Sequence, residues 1–591
     1  MSDYRPPVDD IVFVLEHVVG YRELAELPEF AHADLDTVRE LLTEAGALIA
    51  ETIAPLDRGG DTVGAVWRPD HSVTTAPGWK EAYAAFRDGG WPSLPFPEEH
   101  EGGGFPYVVG LVLQEILDSA SLAFSLGPLL TQGAIEAILK AGTPEQKALY
   151  LPRMVAGEWT GTMNLTEPQA GSDVGALAAR AVPNGDGSYA ITGQKIFITY
   201  GEHDLVDQKV HLVLARTPGA PEGTRGISCF LVPKFLPNAD GSLGERNALR
   251  CLGVEHKLGI HGSPTCVMEY DGATGWLLGE ENRGMAIMFV MMNTARIGVG
   301  VQGIGVAERA FQKAAAYATE RIQGAKATGG EPVAIVEHPD VRRMLLEQKA
   351  TIQGLRAMAL LTGGLIDRSR HHPDEAVRVR SEELVGLLTP LVKAFGTDRG
   401  VELASQAIQV FGGAGFVEGT GIAQHLRDVR ITPIYEGTNG IQAADLVGRK
   451  LPVRGGASVA ELLAEIGELD APLAEAGEGF ASIRAGLGKA LGVLAETSQQ
   501  LGARLAGGAV DDALAGSVPY LRMFAHVVCA WLLAKSALAA AGTGDAALAE
   551  EKLVLARFYA ERLLPEAVSL RGAATAGAAD LYALDAERLA G

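Results

Sequence analysis

Cysteine is scarce in this chain: four residues in 591, Cys229, Cys251, Cys266 and Cys529, with no C-x-x-C among them. That spacing excludes a disulfide scaffold and a cysteine zinc site, and it fits reduced core thiols in a cytoplasmic protein. Positive charge is also short, with 50 Lys and Arg against 73 Asp and Glu for a net charge of −23. A protein that coats phosphates needs the opposite sign, so nucleic-acid binding is not expected. Long apolar runs are missing. The longest, Met523–Ala534 between Arg522 and Lys535, falls far short of the roughly 20 residues of a spanning helix, so no membrane span is expected. Met1–Asp10 has no apolar stretch of the kind a secretion signal carries. The thirteen histidines show neither H-x-x-x-H nor H-E-x-x-H, so no metal is expected, and Ser172 lacks the G-x-S-x-G of a nucleophile elbow.

At 591 residues the chain exceeds a single core, and about three or four domains are expected. From Asp9 to about Ala156 the period is helical. Leu41, Leu42, Ala45, Leu48 and Ile49 share a face of Asp36–Ala50, and Tyr107–Leu122 and Gly133–Ala141 repeat the pattern. Gly142-Thr143-Pro144 stops one helix and starts the next. Pro95–Gly104 reads as a connector, because its glycines lack the strand and lysine of a P-loop. At Gly157 the period changes to short β-rich runs: Trp159–Leu165, Tyr189–Tyr200, Lys209–Arg216, Gly226–Pro233 and Thr265–Tyr270. These make a small β domain of barrel or sandwich type. Long helices follow over Met285–Ile322, Pro339–Arg368, Ala376–Phe395 and Arg399–Phe411. The last stretch, Gly455–Gly591, is rich in Ala and Leu, with 10 basic and 17 acidic residues for a net −7. Its Leu553–Leu564 stripe offers an apolar face that needs a covering surface.

One segment has the composition of a reaction site. Ile431–Gln442 reads Ile-Thr-Pro-Ile-Tyr-Glu-Gly-Thr-Asn-Gly-Ile-Gln, with Glu436 between apolar Ile434-Tyr435 and flexible Gly437. Pro433 disfavours helix just before it and two glycines follow, so the backbone can come close to a ligand. A carboxylate drawn into an apolar pocket has its pKa raised and becomes a usable general base; a surface Glu in a helix-entry loop is the plainer alternative. A second segment, Met163–Gly175, reads Met-Asn-Leu-Thr-Glu-Pro-Gln-Ala-Gly-Ser-Asp-Val-Gly. Together they resemble the acyl-CoA dehydrogenase family, whose signatures are a Thr-Glu-Pro-x-Ala-Gly-Ser-Asp segment and a late Tyr-Glu-Gly-Thr segment. The resemblance covers about Ile11–Pro452. Gly455–Gly591 looks like the extra C-terminal domain of longer members, the very-long-chain type and the bacterial type that includes methylmercaptopropionyl-CoA dehydrogenases.

The resemblance implies an α+β multidomain fold of this family: an N-terminal helical domain (1–156), a middle β-barrel domain (157–282), a C-terminal four-helix bundle (283–452) and an additional helical domain (455–591). It implies FAD as cofactor, an acyl-CoA substrate, Glu436 as catalytic base, and an electron-transferring flavoprotein as acceptor. Carried over onto this chain, Met163, Leu165 and Thr166 lie along the flavin and Ser172 meets the CoA moiety. Phe197, where many members have Trp, packs on the flavin with Thr199 reaching N5, and a period of two puts both on one face. Arg321-Ile322-Gln323-Gly324 resembles the turn that meets the FAD pyrophosphate of a neighbouring subunit, here without its Phe. Gln409, Gly412 and Gly413 match the Gly-rich turn against adenosine diphosphate. Thr438 and Asn439 match FAD contacts, while Gly437, Arg296 and Asn293 fall on the substrate side, with Asn293 where members commonly have Asp. Some members carry their base at the position of Ala295, which cannot take a proton. The implied assembly is a homodimer, with Gly455–Gly591 covering the outer face that compact members use for a second interface. Three competing readings exist: an acyl-CoA oxidase of the same fold, an idle DNA-binding flavoprotein, and a scaffold without a base. The acidic C-terminal segment opposes the second and Glu436 the third.

Overall fold

The change of period at Gly157 is a change of architecture. The computed structural model describes residues 4–238 and 240–591, which fall into two units. The first contains 4–6 and Glu40–Gly298, the second Pro7–Arg39 and Val299–Gly591. Within the helical stretch expected over 1–156, Pro7–Arg39 packs with the second unit.

In the first unit, Tyr107–Ala120 and Leu122–Ala141 are helices buried along almost their whole length. Ser121 separates them, its hydroxyl accepting the Phe124 N–H at 3.4 Å, so the second helix starts well before Gly133. Thr143 and Gln146 form a capping box with Pro144 in the first turn, which launches Pro144–Val155. Seven strands follow, in the spatial order Trp159–Asn164, Gln208–Ala215, Ser228–Pro233, Thr265–Leu278, Tyr189–Thr199 and Arg180–Pro183, with Leu249–Val254 also paired to Thr265–Leu278. Only the first pair is parallel. A bridge from Arg180 to Arg216 ties the far end of this order back to its second strand, so the sheet curls on itself around Ile191, Ile198, Val213, Phe230 and Tyr270.

The helix Gly284–Glu320 begins in the first unit and ends in the second. Pro339–His371 follows it, and then Glu375–Phe411, a single helix of 37 residues where two were expected. Gly396, between the two expected helices, marks a close helix crossing. A Cβ on Gly396 would meet the Gly300 carbonyl oxygen at 3.0 Å, and one on Gly400 would meet that of Gly303 at 2.7 Å. The short helices Ile422–Val429 and Asn439–Asp445 complete the bundle. In the added domain Ala481–Ala506, Ser517–Gly542 and Ala546–Arg562 pack together, and Ser517–Gly542 lies on both long bundle helices, burying Leu555, Phe558 and Tyr559 nearby. Asp10 of the N-terminal segment accepts from Arg356 at 2.6 Å and pairs with Lys552, while Arg356 also reaches Glu308 at 2.8 Å. Such a buried network costs desolvation, and its members must all be present to satisfy one another.

Three helices among the described residues are long and apolar enough to cross a membrane by length and composition, where none was expected. They are Leu122–Ala141, Gly284–Glu320 and Ser517–Gly542, and 78, 65 and 83% of their apolar windows are buried. Counting unbroken runs misses them because residues such as Gln132 and Lys535 interrupt the run while the helix stays apolar on average.

Candidate active site

The two signature segments lie in different units, and each is built by its own scaffold. In the first unit the strand Trp159–Asn164 delivers Met163 and then the loop from Leu165 to Ser172. This loop is folded around a buried ion pair. Lys195 Nζ lies 2.7 Å from Glu167 Oε1 and donates to the Leu165 carbonyl at 3.0 Å. Glu167 also accepts the N–H groups of Ala178 and Ala179 at 2.7 and 3.1 Å, and the Gln169 amide at 2.6 Å. Burial pushes Lys195 down to about 8 against the pull of Glu167. Burial acts on Glu167 in the opposite sense, but the Lys195 charge and its hydrogen bonds hold it below the usual carboxylate range. The pair fixes the shape of the loop, a role that a simple turn at Glu167-Pro168 would not have announced.

Beside this loop, Ile196 N–H donates to the Thr166 carbonyl at 2.9 Å. The next residue, Phe197, has φ of 60° and is 58% exposed. The cause is a bulge: Cys266 opposes Ile198 but Met268 opposes Lys195, so Tyr189–Thr199 carries an extra residue there. Lys195 and Ile198 are buried while Phe197 is exposed and Thr199 partly so: alternation puts Phe197 and Thr199 on one face, and the bulge turns that face outward. Neither the Thr166 nor the Thr199 hydroxyl is engaged by another described residue. An uncovered aromatic ring on strained backbone, with two open hydroxyls nearby, fits a flat heteroaromatic cofactor. Ser172 is exposed in the turn that closes the loop. Arg296 is buried, its guanidinium 5.9 Å from the Phe289 ring. The side chain of Asn293 lies outside the described residues.

In the second unit the chain turns tightly from Val429 to Thr438. Thr432, Ile434 and Tyr435 donate backbone N–H groups to Val429 and Ile431. Glu436 is half-buried with φ of 56°, a left-handed conformation costing a non-glycine residue about 1–2 kcal/mol, and Gly437 follows at 83°. Ile434 is 50% exposed, so within its own unit it does not enclose the carboxylate as the sequence suggested. The Tyr435 hydroxyl donates to Gln302, and Gln442 Nε2 donates to the Glu436 carbonyl at 3.4 Å. Thr438 caps the helix Asn439–Asp445, accepting Ile441 N–H. The Asn439 side chain is taken up by Lys393, Ala394, Thr397 and Asp398, so it holds the loop.

A third group forms at one end of the bundle. Arg321 and Gln323 open a loop closed by Gln323 N–H to Val333 and Ile335 N–H to Arg321, with the Arg321 guanidinium 3.1 Å from Gln323 Oε1. Gln409 is exposed, Gly412 has φ of 60°, and a Cβ on Gly412 or Gly413 would meet nothing within 4 Å, so that backbone is open to a ligand. Tyr317 stacks on Phe411 at 4.2 Å and 11°, which brings the Arg321 loop and the glycine turn together. Sequence reading missed this stack. Asp398 and Gln409 are about 16 Å apart along one helix, so this group and the base loop are separate places. Among the described residues there is no cluster of three or more His, Cys, Asp or Glu side chains arranged to hold a metal.

Family models match in chain order. "Acyl-CoA dehydrogenase, N-terminal domain" covers 36–158, the "middle domain" 162–273 and the "C-terminal domain" 282–451, followed by "Acetyl-CoA dehydrogenase C-terminal like" over 460–585. A 3-methylmercaptopropionyl-CoA dehydrogenase of Ruegeria pomeroyi is 48% identical, covering 95% of this chain and 96% of its own. This chain belongs to the acyl-CoA dehydrogenases. A broad-specificity linear acyl-CoA dehydrogenase of Mycobacterium tuberculosis is 36% identical over 97% of both chains. In fold, the acyl-CoA dehydrogenase of Bacillus anthracis complexed with FAD matches 93% of this chain and 89% of its own at a TM-score of 0.75 and 21% identity. FAD is the cofactor that membership of the acyl-CoA dehydrogenases brings, and Thr166, Phe197 and Thr199 are the residues here that fit its ring.

Proposed function

We propose that this acyl-CoA dehydrogenase converts an acyl-CoA thioester to the trans-2-enoyl-CoA, with Glu436 as the base. The observation that carries the reading is the loop at Glu436: a carboxylate on strained backbone, clamped from both sides, in the one segment with this composition. When bound, FAD supplies the hydride acceptor that no protein side chain provides. Glu436 takes the α-proton and its backbone N–H polarises the thioester carbonyl, an effect worth roughly 3 kcal/mol per donor. Met163, Leu165, Thr166, Phe197 and Thr199 hold and orient the cofactor, Ser172, Arg296 and Gly437 the substrate. Arg321, Gln323, Gln409, Gly412 and Gly413 lie away from the base loop, which supports their serving the FAD of a second copy in a homodimer. Electrons pass to an electron-transferring flavoprotein in the cytoplasm, and the apolar helices act as core and not as membrane spans.

The 48% identical relative favours a short thioether acyl group as substrate over a long fatty acyl chain. Anaerobic flavin bleaching with a graded panel of acyl-CoAs and 3-methylmercaptopropionyl-CoA tests this, the thioether substrate bleaching fastest. Stoichiometric peroxide in aerobic turnover would instead identify an oxidase.

A further inference from the structure

A base held in a left-handed conformation tends to relax unless its loop is tied at both ends. The tie runs through one residue. Asn439 N–H donates to the Pro433 carbonyl at 3.1 Å, closing a ring of chain that contains Glu436. The Asn439 side chain is wired into the middle of the Glu375–Phe411 helix. Lys393 Nζ donates to its Oδ1 at 2.8 Å, and its Nδ2 lies 2.7 Å from Asp398 Oδ1, 2.9 Å from Thr397 Oγ1 and 3.1 Å from the Ala394 carbonyl. Lys393 is fully buried. An amide accepts from the ammonium through its oxygen while its two N–H bonds serve the carboxylate and a neighbouring oxygen, which a hydroxyl with a single O–H cannot do.

We infer that Asn439, bridging Lys393 and Asp398, is a positioning residue that fixes the loop so that the Glu436 carboxylate meets the substrate α-proton. The inference rests on the reading of Glu436 as the base. It also explains the residue type. Aspartate at this position would set two carboxylates against each other, and leucine would leave a buried ammonium and a half-buried carboxylate without their shared partner. Burial pushes Asp398 up from the usual carboxylate range while the Asn439 bond pulls it down, which agrees with a group that depends on this donor.

The test isolates proton transfer. FAD-loaded enzyme is reduced anaerobically so that hydride cannot be accepted, and exchange of the acyl-CoA α-hydrogens with D2O is followed by mass spectrometry. Asn439→Leu is expected to slow exchange by about 10–100-fold, the scale of a misplacement near 1 Å, with acyl-CoA affinity and FAD content within about threefold of wild type. Asp398→Leu should fall with it, while Asp398→Asn, which keeps the acceptor, should stay within about threefold of wild type. Exchange at the wild-type rate in folded, FAD-loaded Asn439→Leu overturns the inference. If that variant does not fold, equal rates in Asp398→Leu and Asp398→Asn overturn it. Glu436→Gln should abolish exchange. If it does not, the base assignment itself falls and the inference with it, whereas loss there and no loss in the other variants removes the inference alone.

Discussion

The loop after Asn164 and the loop around Glu436 do paired jobs with opposite materials. The first is folded around a buried charge pair, Lys195 with Glu167, which draws in two backbone N–H groups and a carbonyl. The second is clamped by the amides of Gln302, Gln442 and Asn439, with Lys393 and Asp398 kept one side chain away by Asn439. A loop whose task is shape can tolerate fixed charge in its scaffold, because nothing in it changes protonation during turnover. A loop that presents a base gains from neutral clamps, which hold geometry without adding a full charge to the field at the carboxylate.

The largest expected effect on this contrast comes from breaking the charge pair. Lys195→Met leaves Glu167 buried with its main counter-charge gone and should cost about 3–5 kcal/mol, read by denaturant unfolding, whereas the double change Lys195→Met with Glu167→Gln should recover much of it. A destabilisation equal in the single and double variants would mean that packing, not charge, shapes the loop.

A smaller effect follows from the strand behind that loop. Tyr270 donates to Asn164 at 2.8 Å, Asn164 donates to Thr162 at 2.8 Å, and His211 Nδ1 lies 2.7 Å from Thr162 Oγ1. Burial holds His211 down at about 3, against an ordinary 6.5, and pushes neighbouring His203 well down too. Between these values the unfolded chain binds the His211 proton and the folded chain does not, so stability falls as pH drops from about 6.5 towards 3. The slope is about 1.4 kcal/mol per pH unit for each such histidine. Unfolding free energies between pH 4 and 7 should show the slope reduced by about one proton in His211→Gln. An unchanged slope would place the titration elsewhere.

The smallest effect lies at the cofactor. Thr166→Val should weaken FAD retention by several-fold, about 1 kcal/mol, and Arg321→Ala by more, since it strips a charge from a phosphate contact. Flavin fluorescence on dilution measures both, and unchanged retention in both would remove these residues from the FAD site.

Much of this was legible in the chain, unevenly. The base loop and the Thr-Glu-Pro loop stand out because their residue types are demanded in a fixed order. Phe197 was found by resemblance, but the reason it faces outward was not, since a bulge is set by register with Thr265–Leu278, a strand some 70 residues later. The helix expected to end at Phe395 runs on through Gly396, because that glycine serves a close approach to Gly300 on another helix. Asn439 matched a cofactor contact by position, while its partners Lys393 and Asp398 lie more than 40 residues upstream. Local composition reports what a residue can do; the partner that decides what it does is remote.

One consequence of the shared N-terminal segment concerns the order in which the molecule can be made. Asp10 is joined to Lys552 across a sequence separation of 542 residues, and Arg356 lies between them in the chain. At a synthesis rate of about 5–20 residues per second, the first helix leaves the ribosome roughly half a minute to two minutes before its last partner exists. Through that interval the first unit can mature alone, while Pro7–Arg39 gains its partners in stages, Pro339–His371 first and the added domain last. Nascent chains arrested before Lys552 should therefore be the ones that chaperones hold.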